Sequence, residues 1–250
     1  MSEAKQIHRG LWSQPVVGIG AAALAGMVVA VSWINTMGVP GSAAGQPANL
    51  LLALCLVAAT VAAYQFPIHI IPKTKIYMAS VPYYLMAVLL PPPLAATAAG
   101  LAALSGEASV QTKRGTTAGQ IAAETGRRML IVLLGALVAH LPGETPLRAL
   151  AWVAAAVILE GGDIATFPLV LVGMSKDPPL RLIIAAAREA YLMEAAQYVL
   201  AMLGALAVTR QVWALAIVAA ATALVYLILR ALRQSAAARR PAESTQHMAQ

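Results

Sequence analysis

The chain has 250 residues, of which 60% are hydrophobic and 11% charged, with a formal net charge of +7. Soluble domains average about 45–50% apolar and about 25% charged residues, so there is too little polar surface here to cover a water-soluble core, and a bilayer is the solvent this composition demands. The basic residues cluster beside apolar runs instead of interleaving with aromatics along one face, which argues against nucleic acid as the partner and leaves the lipid bilayer as the explanation of the charge.

The amino-terminal stretch MSEAKQIHRGLWSQP places basic residues before an apolar run, as a signal peptide does. The run is too long for one and no cleavage pattern follows, so residues 1–15 are expected to be a cytoplasmic segment ahead of a retained first span. That span covers 16–39, about 36 Å at 1.5 Å per residue. An uncharged loop at 40–48 leads to a second run at 49–66. The segment FPIHIIPKTK is expected as an amphipathic loop, followed by a third run at 76–90 that stops at Pro91, Pro92 and Pro93. No helix continues through three residues that lack an N–H and restrict their predecessors.

A fourth run, 94–110, ends in SGE and then Lys113 and Arg114. The fifth, 121–141, begins with the polar turn containing Glu124, Arg127 and Arg128, and PGETP at 142–146 is a turn. The sixth, 147–172, is expected to be interrupted at Glu160, Gly161, Gly162 and Asp163. After MSKDPP comes a semi-polar helix at 180–189, a seventh run at 191–208 and an eighth at 212–229. The basic stretch 231–250 is expected to be a disordered cytoplasmic tail.

The fold expected is therefore all-α: a polytopic transmembrane bundle over 16–230 with about eight spans and both termini cytoplasmic, in a bacterial inner membrane. Counting basic residues tests that topology. Eight spans put Lys5, Arg9, Lys73, Lys75, Lys113, Arg114, Arg127, Arg128, Lys176, Arg181, Arg188, Arg230, Arg233, Arg239 and Arg240 inside, and only Arg148 and Arg210 outside. Merging any two runs flips every later cluster and destroys the asymmetry. Trp33, Trp152 and Trp213 then fall near the outer boundary, and Trp12, Tyr64, Tyr77, Tyr191 and Tyr226 near the inner one, as interfacial belts do.

With most charge assigned to topology, a few polar groups remain inside apolar runs. An acidic side chain deep in a membrane costs about 2.5–3.5 kcal/mol on insertion scales, so it faces the bundle interior with a partner or is protonated. Glu160 and Asp163 flank two glycines that weaken a helix, which suggests either a broken helix whose ends bind a ligand, a titrating carboxylate, or a polar contact beside a close glycine crossing. Glu124 and Arg128 are spaced for an ion pair on one helix face. They serve either as an inner-surface pair or as an arginine-lined mouth for an anionic ligand. Glu194 and Gln197, three apart near the start of the seventh run, point at the same interior space as Glu160. The candidate ligand pocket is thus Glu160, Asp163, Glu194, Gln197, Glu124 and Arg128. Arg188 and Glu189 read as a solvated helix start, and Glu107 as a group among the inner headgroups.

No cofactor and no metal site is expected. Cys55, the one cysteine, excludes disulfide and thiolate frameworks, and His69 and His140 fall on opposite sides. No phosphate-cradling, nucleophile-elbow or zinc-protease string occurs. Glu124 with Arg128 matches the ExxxR of CAAX-type intramembrane proteases, but the doubled glutamate and histidine motifs of that family are missing. LLGALVAH at 133–140 and MLGALAVT at 202–209 each follow a run carrying a small-acidic segment, SGE or EGGD, a pattern a duplicated hairpin would leave.

The stretch FPIHIIPKTKIYMASVPYYLMAVLLPPPLAATAAGLAALSGE resembles the amino-terminal membrane modules of bacterial signalling proteins: an FPI string, a basic-polar connector, an apolar span, a proline turn and a small-residue helix ending in an acid. DPPLRLIIAAAREAYLMEAAQYVLAMLGALAV and the final YLILRALRQ are similar to the second half of those modules, so the resemblance spans about 66–235. The family commonly fuses the module to an HD-type phosphohydrolase or diguanylate cyclase domain. The resemblance implies a sensory module, here expected to lack the output domain and to signal through a separate cytoplasmic partner. The same acid-terminated helix is also similar to the substrate-binding subunits of energy-coupling-factor vitamin transporters, usually of six spans. The function expected is a non-enzymatic sensory or ligand-binding module for a small molecule. The alternatives are a transporter subunit with its coupling protein and, third, an intramembrane enzyme in which Glu160, Asp163 and Glu194 cluster.

Overall fold

A computed structural model describes residues 14–37, 46–66, 68–71, 74–76, 78–170, 179–211, 213–228 and 231. Most of the expected amino-terminal segment, of the loop at 40–48, of MSKDPP and of the basic tail lies outside the described residues. Among the described residues there are eight helices: α1 Gln14–Met37, α2 Pro47–Gln65, α3 Ser80–Leu89, α4 Pro92–Arg114, α5 Ala118–Ala139, α6 Thr145–Val170, α7 Pro179–Arg210 and α8 Ala214–Ile228. Each expected apolar run yields one helix. Three of them, α1, α2 and α6, contain stretches long and apolar enough to cross a membrane. The large apolar side chains left exposed, such as Leu24, Met27 and Ile34 on α1 and Leu51 and Leu54 on α2, are the face such helices offer to lipid.

Three sequence expectations are corrected. The segment FPIHIIPKTK is not a loop: Ile68–Ile71 (β1) pairs antiparallel with Thr74–Ile76 (β2), in register Ile68 to Ile76 and His69 to Lys75, with a bulge before Ile71. β-Branched isoleucines and threonine suit an extended backbone. The run 76–90 is not a full span. Its helix, α3, has 10 residues, about 15 Å of a hydrocarbon core about 30 Å thick. It ends because Leu90, which precedes Pro91, is held extended (φ −103°, ψ 147°), and α4 restarts with prolines in its first turn. α3 is buried from Ser80 to Val88, with Tyr83, Tyr84, Leu85 and Met86 at 0–2% exposure. An all-round apolar helix of that length belongs in a core, and here it is the axis around which the longer helices pack.

The third correction concerns α6, which runs unbroken through Glu160–Asp163. Two glycines cost a helix about 1 kcal/mol each, too little to break hydrogen bonding that has no competing partner in an apolar surrounding. Gly162 instead receives Ile131 of α5: a Cβ there would lie 3.2 Å from that side chain. The expected semi-polar helix and the seventh run are likewise one helix, the 32-residue α7.

Consecutive helices alternate in direction. The turn after α4 uses Gly115 at φ 68°, the left-handed position glycine occupies without strain. α5 then opens on a capping box in which the Thr117 hydroxyl and the Gln120 side chain each take up the other's backbone N–H. α1 and α5 run the same way, as Gly18 meets Gly119 and Ala22 meets Gly126. α3 and α7 do too, through Ser80 with Glu194 and Tyr84 with Tyr198. α5 and α6 oppose each other, with Arg128 at Asp163 and Gly135 at Leu159. One end of the bundle therefore gathers the starts of the odd helices and the ends of the even ones, including Lys113 and Arg114. We call it the basic end. The other carries Trp33, Trp152 and Trp213.

The two LLGALV-like strings place equivalent glycines at equivalent contacts. Gly135 of α5 meets Leu159 of the following helix, and Gly204 of α7 meets Val218 of the following helix. Small residues at these points let helices approach closely where the bilayer itself supplies no hydrophobic drive.

Candidate functional site

A layer of polar side chains crosses the bundle on its basic side. Arg127 and Arg128 follow Gly126, which packs on Ala22, one turn in from the basic-end edge of the apolar stretch of α1 (Gly18–Thr36). The layer is therefore within the apolar part of the bundle, about a turn from its edge.

Its centre is a closed ring of four charges. Glu124 accepts from Arg127 through both carboxylate oxygens, at 2.8 and 2.7 Å, and from Nε of Arg128 at 2.8 Å. Asp163 of α6 completes it, accepting from Nη1 of Arg128 at 2.8 Å and from Arg127. Arg127 also donates to the Asp163 carbonyl and the Thr166 hydroxyl, each at 3.2 Å. The four side chains are only 9–19% exposed. Two positive and two negative charges cancel, so the ring carries no net charge into the bundle, and the bidentate geometry is the kind that repays desolvation. The Arg128 guanidinium also sits 5.0 Å from the centre of the Tyr83 ring, and the Tyr83 and Tyr64 hydroxyls lie 3.4 Å apart. The ring thus joins α5, α6 and the central α3.

A second polar contact lies between α3 and α7. Ser80 donates to Glu194 at 2.6 Å. One turn deeper on α7, Gln197 is 2% exposed, and neither its amide nitrogen nor its amide oxygen has a hydrogen-bond partner among the described residues. Tyr198 beside it stands edge-on to Tyr84, with ring centres 6.0 Å apart, and the Tyr84 hydroxyl donates to the Trp152 carbonyl at 3.2 Å. An amide has two donors and an acceptor; burying them unpaired costs about 1–3 kcal/mol.

The six residues expected to form one pocket are divided by this arrangement. Glu124, Arg128 and Asp163 are consumed by the ring and Glu194 by Ser80, and the Gln197 amide has no partner among the described residues. Glu160 is half-buried on α6 within electrostatic range of Glu194 and Asp163, and forms no hydrogen bond among the described residues. Glu107, expected as a group among the inner headgroups, is 8% exposed and packed against protein on α4, next to Gly106, which receives the Tyr64 ring. His140 is exposed at the end of α5 and donates through Nδ1 to the Ala136 carbonyl at 2.9 Å. The side chains of His69, Arg188 and Glu189 lie outside the described residues.

Arg127, expected beside Glu124 and Arg128 in the polar start of the fifth run, is spent in the ring. Ser80, Tyr83 and Thr166 were not expected, because they lie in apolar or small-residue context and announce nothing by spacing. Among the described residues no group of three histidine, cysteine or acidic side chains is placed to hold a metal ion. What the arrangement offers chemically is two kinds of polar surface: a saturated ionic clamp, and an amide-carboxylate-hydroxyl set on α3 and α7 with hydrogen-bonding capacity to spare. A comparison with family models, with known proteins and with solved structures finds no match to this chain.

Proposed function

We propose that the chain is a non-enzymatic, multi-pass membrane module that holds a small polar molecule against Gln197, Glu194 and Ser80 and passes its occupancy to a separate cytoplasmic partner. The observation that carries this reading is Gln197, a fully buried amide with no partner on either atom among the described residues. A bundle built only for stability gains by an apolar residue there, whereas a ligand with one donor and one acceptor turns that cost into binding specificity. The site is on the one helix suited to report it: 15 residues of α7 extend from Glu194 back to Pro179, about 22 Å toward the basic end. The likeness of 66–235 to bacterial sensory modules points the same way. Ligands lost from a Gln197→Leu variant but retained by the wild type, as read by mass spectrometry of the detergent-purified protein, are the expected result. Equal retention overturns the site.

The module is read as an eight-helix membrane bundle with both termini in the cytoplasm, on the fifteen-to-two distribution of basic residues and the alternating helix directions, with α3 too short to cross alone. In a Cys55→Ala background, cysteines placed at Ser42 and Ser235 are expected to react with an impermeant maleimide from opposite sides of sealed vesicles. Labelling of both from one side contradicts the topology.

One feature favours the runner-up, a transporter subunit. α3 is a helix of about half the length a span needs, and discontinuous helices at the membrane interior are where transporters place substrate sites. Flux of the retained ligand in proteoliposomes separates the two readings.

A further inference from the structure

A groove of about 720 Å³ lies between α2 and α8, floored by α3. Its walls are largely apolar, and alanines open their middle: Ala59, Ala62 and Ala63 on one side, Ala216, Ala219 and Ala223 on the other. Small residues usually let two membrane helices close on each other; here they leave a gap instead. The gap offers water almost nothing, because the Thr222 hydroxyl is turned back onto its own helix, donating to the Val218 carbonyl at 2.7 Å. Interiors do not keep apolar gaps of this size unfilled, since the lining forfeits its dispersion contacts.

Three properties identify the occupant. The groove is continuous with the lipid-facing surface, because Leu51 and Leu54 of α2 and Leu224 and Ile228 of α8, beside it, are exposed. On α2 it reaches from Cys55 to Phe66, about 17 Å at 1.5 Å per residue, close to the half-thickness of about 15 Å that one leaflet's hydrocarbon occupies. It ends, at the basic end of the bundle, at an aromatic pair, Phe66 edge-on to Tyr226 with centres 5.8 Å apart. A tyrosine at that level is an interfacial residue, with its ring in hydrocarbon and its hydroxyl at the headgroups.

We propose that this groove is an acyl-chain site that holds one hydrocarbon chain of a membrane phospholipid from the leaflet at the basic end, its headgroup beside Tyr226. The bound lipid completes the packing between α2 and α8 and is distinct from the freely exchanging lipids around α1. The site is independent of the polar layer and of the function proposed for it.

The test uses full-length protein purified in mild detergent and incubated with phosphatidylglycerol carrying two unbranched acyl chains. Intact-mass measurement is expected to show one retained lipid on the wild type. Retention is expected to be lost in Ala219→Trp, whose indole fills the groove, and kept in Val31→Trp, which adds the same bulk to the exposed face of α1. No retained lipid on the wild type, equal retention by all three, or a dimer in place of the lipid adduct overturns the proposal. If Ala219→Trp does not fold, Cys55, the only cysteine and part of the groove wall, supplies the second arm. Its alkylation by a small maleimide is expected to be slow with lipid bound and fast after delipidation, and equal rates overturn the site.

Discussion

Asp163→Ala is expected to lower the unfolding free energy by about 3–5 kcal/mol, the usual cost of removing one partner from a buried ion pair. The substitution leaves Arg127 and Arg128 sharing the single carboxylate of Glu124, so one guanidinium charge is uncompensated within the apolar part of the bundle. It also cuts the only ionic tie seen between α5 and α6 among the described residues. Thermal unfolding in detergent measures the loss. The double variant Asp163→Ala with Arg128→Met restores neutrality around Glu124 and Arg127, and is expected to recover most of it. If the single variant unfolds with the wild type, the ring is solvated and carries no structural weight.

The α1–α5 crossing gives the second large effect. A Cβ at Gly126 would lie 2.7 Å from the Ala22 Cα and 2.9 Å from its backbone nitrogen. Because the obstacle is backbone, no side-chain rotation relieves it and α1 must move away. Gly126→Leu is therefore expected to exceed the ~1–3 kcal/mol of ordinary overpacking and to expose α1 to proteolysis. Gly20 on the same α1 has nothing within 4 Å of its Cβ position, so Gly20→Leu is the control and is expected to be neutral or mildly stabilising, since leucine is the better helix former. Equal behaviour of the two variants means that α1 does not dock on α5 as described.

These effects reach back to what the sequence makes legible. Apolar runs punctuated by proline, glycine and charge place the eight helices seen among the described residues, because in a bilayer the backbone has no other way to satisfy itself. What apolarity does not encode is whether a run faces lipid or protein. The run containing α3 has the composition of a span, yet its helix is short and buried on all sides, and periodicity does not separate those cases. The β1–β2 hairpin escaped because a short isoleucine-rich segment followed by a proline looks like a loop when its partner strand is only three residues long. The interruption expected in α6 came from local propensity, which Gly161 and Gly162 do lower; packing of Ile131 on Gly162 outweighs it.

At the site, the local half was legible and the distant half was not. Glu124 and Arg128 are four apart and visibly a pair. Their second carboxylate, Asp163, is 35 residues from Arg128, and no spacing rule connects them. Grouping Asp163 with Glu160 followed from sequence proximity, yet only one of the two faces the arginines. Glu194 and Gln197 share a face of α7 as their spacing predicts, but their distinct fates, one bonded to Ser80 and one unpaired, depend on α3, which contributes a serine that nothing in the sequence marks.

The proposed function requires that Gln197 be kept for a ligand at the expense of stability. Unfolding of Gln197→Leu and wild type, each stripped of small molecules and then each resupplied with the species released from the wild type, tests this most directly. The expected result is that the stripped variant is more stable than the stripped wild type, by up to the ~1–3 kcal/mol of an unpaired buried amide, while only the wild type gains stability when the ligand returns. A stripped variant less stable than wild type, or one stabilised by the ligand to the same degree, contradicts the account.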